Sequence, residues 1–477
     1  MNSRRMEYEQ MNKRVATISD FYNENNNRSL FCYGAGKVFE DLLNSHPDIR
    51  IAAVIDKNTK SGYVEIRNRK IPVISIDTFL KETDNAVLLI TCFDYSEVEK
   101  ELEAYPELDE LPYYVYCQMN TEYHFDSVKS TGKYQITEFR MQDYNAGHKA
   151  PADVTAIVAE NGYKILSIVR GTVRYGQKQT EAEWLKACEE ITDNAVVLVQ
   201  FPIVDISGGI YRLNELKDKK HINIICVVHD IEILRRNVRD DYIEQYNMLR
   251  TLADVWIVHN NKMKELLISK GFSADRIVSL EIFDYLADNS FRVKKDSGII
   301  IAGNLDIGKS EYIYHLNEIS DVKFNLFGAN YSDNDDYDNI SYFGTFLPDE
   351  LIKNLQGKYG LVWDGNSLDT CSGLTGEYLK INNPHKLSLY LAVGLPIIIW
   401  DEAAEADFVL KEHVGITVKS LYELPDKISA ISDSEYKTMK RNAEIVGKRL
   451  RNGEYMTNAI KKAEEMVQEI GKNEILQ

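Results

Sequence analysis

Short runs of β-branched and aromatic residues alternate with amphipathic helical stretches along almost the entire chain. The first such unit is the run Ser29–Tyr33, followed by a glycine loop and the apolar helical pattern of residues 38–43. Strands that alternate with helices in this way pair in parallel, and the helices cover both faces of the sheet. We therefore predict an α/β fold made of doubly wound layers. A chain of 477 residues has room for about three of them.

Polar segments separate three series of predicted strands. The first break falls at residues 127–133 and the second at the charged residues 292–296. We expect a small Rossmann-like accessory domain in residues 1–130. Two further Rossmann-like domains are expected in residues 131–296 and 297–477.

The net charge limits the kinds of partner that the protein can bind. The cysteine pattern indicates its redox compartment. Asp and Glu number 74 against 56 Lys and Arg, so the net charge is −18. Nucleic-acid binding needs clustered basic residues, so we expect no nucleic-acid partner. The six cysteines are scattered without a Cys-x-x-Cys pair, which predicts reduced thiols and no zinc site. No signal-peptide core is present, and the longest apolar run, Leu389–Trp400, is too short to span a bilayer. We expect a cytoplasmic protein.

The first glycine loop has part of a dinucleotide-binding pattern. Gly34 and Gly36 lie between a strand and a helix, and Asp56 ends the next strand, as in folds that bind a pyrophosphate at a helix N-terminus. The third glycine of the pattern is replaced by Phe39. Three alternatives for the ligand of residues 1–130 therefore stay open: a dinucleotide, a different nucleotide, or no ligand. No residue there suits hydride transfer, so a dehydrogenase is not expected.

The second series carries polar residues at two predicted strand ends. Gly147 and Lys149 lie in a strand-to-helix turn, which suits an anionic ligand at the carboxyl edge of a sheet, although a flexible turn is the alternative. His229 and Asp230 follow the very apolar run 222–228. An imidazole beside a carboxylate at this edge is a candidate acid–base pair. A helix cap or a structural hydrogen bond is the alternative interpretation.

The loop after the first strand of the third series contains the letters of a P-loop. Gly303 and Asn304 open it, and Gly308, Lys309 and Ser310 complete the spacing. No apolar strand ending in a Walker-B-like Asp follows in the expected order. We therefore do not expect a P-loop NTPase.

A glycine- and Asn-rich loop then leads into a short helix that is expected to end at Gly394. Lys386 falls in the first turn of this helix. A lysine there can join the N-terminal N–H groups in binding a diphosphate. A surface lysine on an ordinary helix is the alternative.

Residues 382–396 follow the pattern N-x-P-x-K-L-x-x-Y-L-A-x-G-L-P. This pattern resembles the nucleotide-sugar-binding region of GT-B glycosyltransferases. It is most similar to the bacterial family that includes the glucosyltransferase Gtf3 and β-1,6-galactofuranosyltransferases. Residues 145–150, 229–235 and 400–409 support the resemblance, as does the loop that begins at Gly303. It covers the chain from about Tyr134 onward and does not extend to the first domain.

The resemblance implies two facing Rossmann-like domains with the sugar donor in the cleft between them. A C-terminal helix, predicted over residues 434–471 by its apolar stripe, would cross back to the first of the two. The donor-binding residues that the resemblance implies come from both domains: Gly147, Lys149, Gly303, Asn304, Lys309, Asn383 and Lys386. Asp230 or His229 would act as the base, and no metal or cofactor would be required. The glutamate that often holds the donor ribose is replaced by Leu389, so ribose recognition stays unassigned.

The implied activity is transfer of a hexose, of the glucose or galactofuranose type, from a UDP-linked donor. The acceptor would be a glycan, a lipid-linked oligosaccharide or a glycoprotein, as in polysaccharide biosynthesis. Two alternatives stay open: an NAD-dependent sugar-nucleotide epimerase or oxidoreductase driven by the first domain, and a non-catalytic GT-B scaffold or sensor. Peripheral contact with a membrane and a homo-oligomer are also left open.

Overall fold

The computed structural model covers the chain, and its described residues fall into a series of segments. They are residues 21, 25–57, 62–66, 69–92, 95–108, 111–116, 132–139, 149–169, 184–185, 187–203, 209–234, 240–287, 293–294, 297–332 and 337–475.

The described strands follow the predicted alternation. In chain order they are β1 Ser29–Tyr33, β2 Ala53–Ile55, β3 Tyr63–Ile66, β4 Arg69–Ile74, β5 Ala86–Ile90, β6 Tyr113–Val115, β7 Lys133–Phe139, β8 Lys164–Val169, β9 Val196–Phe201, β10 Asn223–Val228, β11 Val255–Val258, β12 Ile277–Ser279, β13 Ile299–Ala302, β14 Phe324–Phe327, β15 Ile340–Tyr342, β16 Tyr359–Val362, β17 Ile397–Trp400 and β18 Gly415–Val418.

Helices lie between most of these strands. The described α-helices are α1 Lys37–Ser45, α2 Ile76–Phe79, α3 Tyr95–Leu102, α4 Lys149–Glu160, α5 Gly209–Lys220, α6 Asp240–Leu252, α7 Asn261–Ser269, α8 Ile307–Ser310, α9 Pro348–Asn354, α10 Gly373–Tyr378, α11 His385–Ala392, α12 Ala406–Lys411, α13 Leu424–Ala430, α14 Asp433–Arg451 and α15 Glu454–Ile475. A 3₁₀ helix, Glu311–Glu318, follows α8 directly.

The strands form three six-stranded sheets. Their orders are β3-β4-β2-β1-β5-β6, β12-β11-β10-β9-β7-β8 and β15-β14-β13-β16-β17-β18. The described strand pairs are parallel except for the hairpin of β3 and β4. In the third sheet the chain starts at β13, winds outward through β14 and β15, and then returns to the other side of β13 through β16. This reversal between β13 and β16 is the switch point of a Rossmann-like sheet, and the predicted α/β layers are confirmed.

By its internal contacts the chain separates into two compact units. The first comprises residues 1–126 together with 138–142 and 167–186, and the second contains the remaining residues. Sheets two and three both lie in the second unit, apart from the ends of β7 and β8. Residues 132–287 of that unit are called the middle lobe below, and residues 297–451 the C-terminal lobe. The division into three domains stays a prediction.

In the first unit, the residue that replaces the third glycine of the dinucleotide pattern is a core residue. Phe39 is fully buried and packs with Leu42, Val54 and other apolar side chains on one face of sheet one. Gly34 has a φ of +100°, and a Cβ there would collide with Cys92. The loop glycine is therefore needed for contact with the neighbouring strand end, whatever ligand the domain takes.

The C-terminal lobe has a very apolar central layer. All residues of β13, β16 and β17 are buried, as expected for strands covered by helices on both faces. Helix α11 lies between this layer and α14. Tyr390 of α11 packs so closely on β16 that a Cβ at Gly360 would overlap its ring.

Residues 434–471 are helical as predicted, and the structure divides them into two helices, α14 and α15. The break falls at Asn452–Gly453, where Gly453 has a φ of +68°, a conformation that glycine adopts without strain. Helix α14 packs on α11, whereas α15 contacts α4, β11 and β12 of the middle lobe.

The segment that joins the two lobes lies beside this break. The Asp284 carboxylate accepts hydrogen bonds from the backbone N–H groups of Tyr455 and Met456, at 3.3 and 2.6 Å, at the start of α15. The Tyr285 N–H donates to the carbonyl of Leu450 at 3.3 Å. The two passages of the chain between the lobes are therefore bonded to each other.

No helix within the described ranges is long and apolar enough to cross a lipid bilayer. Among the same residues, no group of three or more His, Cys, Asp or Glu side chains is arranged to hold a metal ion.

The contact between Gly360 and Tyr390 gives a test of the packing. Gly360→Ala should lower the free energy of unfolding by about 1–3 kcal/mol, because the added methyl overpacks a buried layer. Gly471→Ala is the matched control: it lies in α15 with nothing near its Cβ position, and should be neutral or stabilise by about 0.5–1 kcal/mol. Urea unfolding measures both. Equal stability of the two variants would contradict the packing described.

Candidate active site

The carboxyl ends of β13 and β16 form the floor of the candidate site in the C-terminal lobe. Gly303 follows β13 and Asp364 lies two residues beyond β16. Because these two strands are neighbours at the switch point, the loops that leave them diverge and open a crevice. Gly303 is exposed, and nothing lies within 4 Å of its Cβ position, so a ligand can approach the backbone closely there.

Lys386 lies in the first turn of α11, as predicted, and its ammonium group is held in place. Its Nζ lies 2.8 Å from Asp364 Oδ1 and 2.9 Å from the carbonyl oxygen of Trp363. The two side chains are 15% and 10% exposed. The lysine is thus a largely buried member of an ion pair at the switch point, and the Asp364 carboxylate balances its charge.

Helix α11 begins without a side-chain cap. Its N-cap residue is Pro384, and no side chain accepts a hydrogen bond from the first turn. The N–H groups of a first turn carry partial positive charge and have no partner within the helix. The start of α11 therefore offers both N–H donors and the ammonium of Lys386 to an anion.

Hydrogen bonds to the side-chain amide of Asn304 stabilise the loop after β13. Asn304 Oδ1 accepts hydrogen bonds from the Asp306 N–H at 3.1 Å and from Asn330 Nδ2 at 2.9 Å. Asp306 caps the short helix α8, in which Lys309 lies. Because α8 is a single turn followed by a 3₁₀ helix, Lys309 does not open a long helix as the lysine of a P-loop does. Thr375 of α10 donates to the Lys309 carbonyl at 3.2 Å.

The loop that precedes α11 is bonded to the middle lobe. The Asn383 N–H donates to His259 Nδ1 at 3.0 Å, and Asn383 Nδ2 donates to the carbonyl of Glu281 at 3.2 Å. Glu281 has a φ of +76°, in the left-handed region. Asn383 is buried, and its Oδ1 has no hydrogen-bond partner among the described residues.

A buried amide and a buried carboxyl make a second link between the lobes. Asn260 caps α7 by accepting from the Met263 N–H, and its Nδ2 donates to Glu405 Oε1 at 2.8 Å and to the Asn382 carbonyl at 3.2 Å. Glu405 is almost completely buried. Burial raises the pKa of its carboxyl to about 8.

His229 and Asp230 lie at the carboxyl end of β10, facing the C-terminal lobe. The next residue, Ile231, donates its N–H to the hydroxyl of Tyr378 in α10 at 3.0 Å. His229 is stacked on Phe283 at a centroid distance of 5.4 Å. Its Nε2 donates to the amide oxygen of Gln200. Burial, helped by two neighbouring histidines, lowers the pKa of His229 to about 3.

Lys149 stabilises the segment that joins the two lobes. Its Nζ lies 2.5 Å from Asp153 Oδ1 and 2.7 Å from the carbonyl oxygen of Leu286. It also lies over the ring of Tyr285, 4.8 Å from the centroid. With a side chain 12% exposed, Lys149 is occupied by these contacts. Gly147, its predicted companion, lies outside the described residues.

Three residues of the site were missed in the sequence: His259, Asn260 and Asp364. Each directly follows or closely follows a fully buried strand, β11 or β16. That is the same signal that pointed to His229 and Asp230 after β10. A polar residue at the carboxyl end of a buried parallel strand therefore indicates a site residue. In the sequence this pattern was used for β10 but not for β11 or β16.

Sequence comparison identifies relatives for most of the chain. The family descriptions "Glucosyltransferase 3-like, N-terminal domain" and "Glucosyltransferase 3-like, C-terminal domain" match residues 133–282 and 299–463. The β-1,6-galactofuranosyltransferase WbbI of Escherichia coli (strain K12) is 33% identical over 342 residues, which is 69% of this chain and 97% of WbbI. Glucosyltransferase 3 of Streptococcus gordonii is 25% identical over 224 residues, 45% of this chain and 63% of that protein.

The chain belongs to the glucosyltransferase 3-like family. The predictions of a glycosyltransferase, of this family and of the GT-B fold class are therefore confirmed. The family match leaves out residues 1–130, the part of the chain in which the accessory domain is predicted. Among solved structures, a sucrose-phosphate synthase from Thermosynechococcus elongatus aligns with a TM-score of 0.43 and 13% identity, over 72% of this chain and 100% of that protein.

In this glucosyltransferase 3-like enzyme, the buried carboxyl between the lobes should make stability depend on pH. The Glu405 pKa is about 8 in the folded protein and about 4.3 in an unfolded chain. Between these values the folded state binds the additional proton, so the free energy of unfolding falls as pH rises. Glu405→Gln cannot ionise and keeps an acceptor for Asn260. Its stability should therefore fall less steeply than that of the wild type between about pH 6 and pH 8, by up to about 1.4 kcal/mol per pH unit.

Urea unfolding at the two pH values measures this difference. Glu465→Gln is the control, because Glu465 is exposed on α15, and it should keep the wild-type slope. Parallel slopes for Glu405→Gln and the wild type would show that the Glu405 carboxyl does not hold its proton in the folded state.

Proposed function

We propose that this glycosyltransferase transfers a hexose from a nucleotide-diphosphate donor, with UDP as the nucleotide, to a glycan, lipid-linked oligosaccharide or glycoprotein. The sugar is of the glucose or galactofuranose type, in keeping with the names of the relatives. The reaction takes place in the cytoplasm, where the described cysteines, all of them free thiols, stay reduced.

The uncapped start of α11 carries this proposal. It lies at the switch point of sheet three, where open α/β sheets bind their ligands. Its first-turn N–H groups, apart from that of Leu387, which donates to the Pro384 carbonyl, and the fixed ammonium of Lys386 suit the two phosphates of the donor. The exposed backbone at Gly303 and the neighbouring residues Asn304 and Lys309 form the opposite side of the crevice.

The leaving nucleotide diphosphate gains negative charge in the transition state. Oriented N–H groups and basic side chains stabilise such charge without reorganising, because they are already in position. Asp364 contributes indirectly, since its ion pair fixes the ammonium of Lys386 beside the helix start. The enzyme then needs neither a metal ion nor a cofactor for this step.

Asp230 is the better candidate for the base that removes the proton of the acceptor hydroxyl. It lies at the end of β10 and is only partly buried. His229 has a pKa lowered to about 3, so its imidazole binds a proton weakly at neutral pH. Its Nε2 is also occupied by Gln200. We therefore assign the catalytic role to Asp230 and a supporting role to His229.

Lys386→Ala should weaken binding of UDP and of UDP-glucose at least tenfold, because the ammonium beside the diphosphate is lost and Asp364 is left unpaired. Isothermal titration calorimetry measures the affinity, and circular dichroism verifies the fold. Lys427→Ala is the control, since Lys427 is exposed on α13. Unchanged UDP affinity in a folded Lys386→Ala variant would place the diphosphate elsewhere.

Asp230→Asn should lower kcat by about 10²–10⁴-fold, the usual contribution of a general base. The affinity for UDP should stay within about threefold of the wild type, because Asp230 contacts the acceptor rather than the diphosphate. Release of UDP from UDP-glucose, with water as the acceptor, gives kcat. If kcat stayed at the wild-type value, a residue other than Asp230 would be the base.

A further inference from the structure

We propose that His259 is a positioning residue that fixes the distance between the catalytic strand end of the middle lobe and the start of α11 in the C-terminal lobe. The inference rests on the proposed function, because it assigns the base to Asp230 and the diphosphate to α11. It concerns a residue that contacts neither substrate.

His259 bonds to backbone atoms of both lobes. Its Nε2 lies 3.0 Å from the carbonyl oxygen of His229, and its Nδ1 lies 3.0 Å from the N–H of Asn383. His229 directly precedes Asp230, and Asn383 directly precedes the N-cap of α11. A single imidazole ring therefore spans the two elements that must meet across the cleft.

The two bonds fix the protonation state of the ring. The Asn383 N–H can only donate, so Nδ1 must be unprotonated. The His229 carbonyl can only accept, so Nε2 must carry the proton. The ring is therefore the neutral tautomer that carries its single proton on Nε2. Burial lowers the pKa of His259 to about 4, which keeps it neutral at physiological pH.

The surroundings leave the ring little freedom. His259 is 1% exposed. The ring of Phe283 packs edge-to-face against it at 5.2 Å and stacks on His229 at 5.4 Å. Because Phe283 contacts both histidines, rotation of either imidazole would disturb the other. The link between the lobes thus consists of two hydrogen bonds inside a packed aromatic group.

The titratable groups described around His259 do not make the pair of hydrogen bonds by which His259 connects the two lobes. His229 donates to Gln200, and His385 has a buried Nε2 without a hydrogen-bond partner in the described part of the chain. Glu405 is bonded to Asn260. Among the described contacts, His259 is the side chain whose two ring nitrogens reach backbone atoms of both lobes.

His259→Asn tests the proposal. The shorter side chain can still accept from the Asn383 N–H but cannot reach the His229 carbonyl. We expect kcat for UDP release from UDP-glucose to fall at least tenfold, while the affinity for UDP by calorimetry changes less than threefold. His413→Asn is the control, because His413 is exposed with a φ of +51°, a conformation that Asn tolerates. It should retain wild-type kcat.

A double-mutant cycle separates positioning from a general structural role. If His259 acts by placing Asp230, then His259→Asn should lower kcat no further in the Asp230→Asn background. Equal fold-losses in both backgrounds, or a wild-type kcat in a folded His259→Asn variant, would overturn the proposal while leaving the proposed function intact. Absence of UDP or UDP-glucose binding by the wild type would instead count against the proposed function.

Nitrogen-15 NMR of histidine-labelled protein gives a readout that does not depend on activity. The His259 ring should show a protonated Nε2 and a bare Nδ1, and this signal should vanish in His259→Asn. A proton on Nδ1 would contradict the bridge directly, because Asn383 would then have no acceptor.

Discussion

The loop that opens α11 depends on hydrogen bonds from the other lobe. His259 accepts from the Asn383 N–H, Asn260 donates to the Asn382 carbonyl, and the Asn383 amide donates to Glu281. These bonds lie in a buried, low-dielectric interface, where a satisfied hydrogen bond is strong and an unpaired group is costly. The start of the helix that we assign to the diphosphate is therefore positioned by residues of the middle lobe. Neither lobe by itself contains all the residues of the site that we propose.

The same interface keeps several ionisable groups in their uncharged forms. Burial lowers the pKa of His229, His259 and His385 and raises that of Glu405. Charging any of them would leave a poorly solvated ion between the lobes. The histidines charge on acidification and the Glu405 carboxyl charges on alkalinisation, so both changes act against the assembled interface. Near neutral pH the interface is at its most stable with respect to these four groups.

The sequence predicted the layers and several strand bounds because hydrophobic periodicity is a local property. It also placed Lys386 in the first turn of a short helix, which the structure has. It missed the ion pair of Lys386 with Asp364, because the pairing follows from strands that become neighbours only in the folded sheet. The Lys149–Asp153 pair was accessible in principle, since an i,i+4 spacing on a helix brings the two side chains together. The break at Gly453 was missed because the apolar positions that carried the helix prediction, from Met456 to Ile470, all lie beyond it.

The bonded passages at Tyr285–Leu450 and at Asp284 have a further consequence. The chain passes from the middle lobe to the C-terminal lobe and later returns, and these hydrogen bonds hold the outgoing and returning passages together. Neither passage can shift by itself while the bonds persist. A change in the backbone of one connection is therefore transmitted directly to the other.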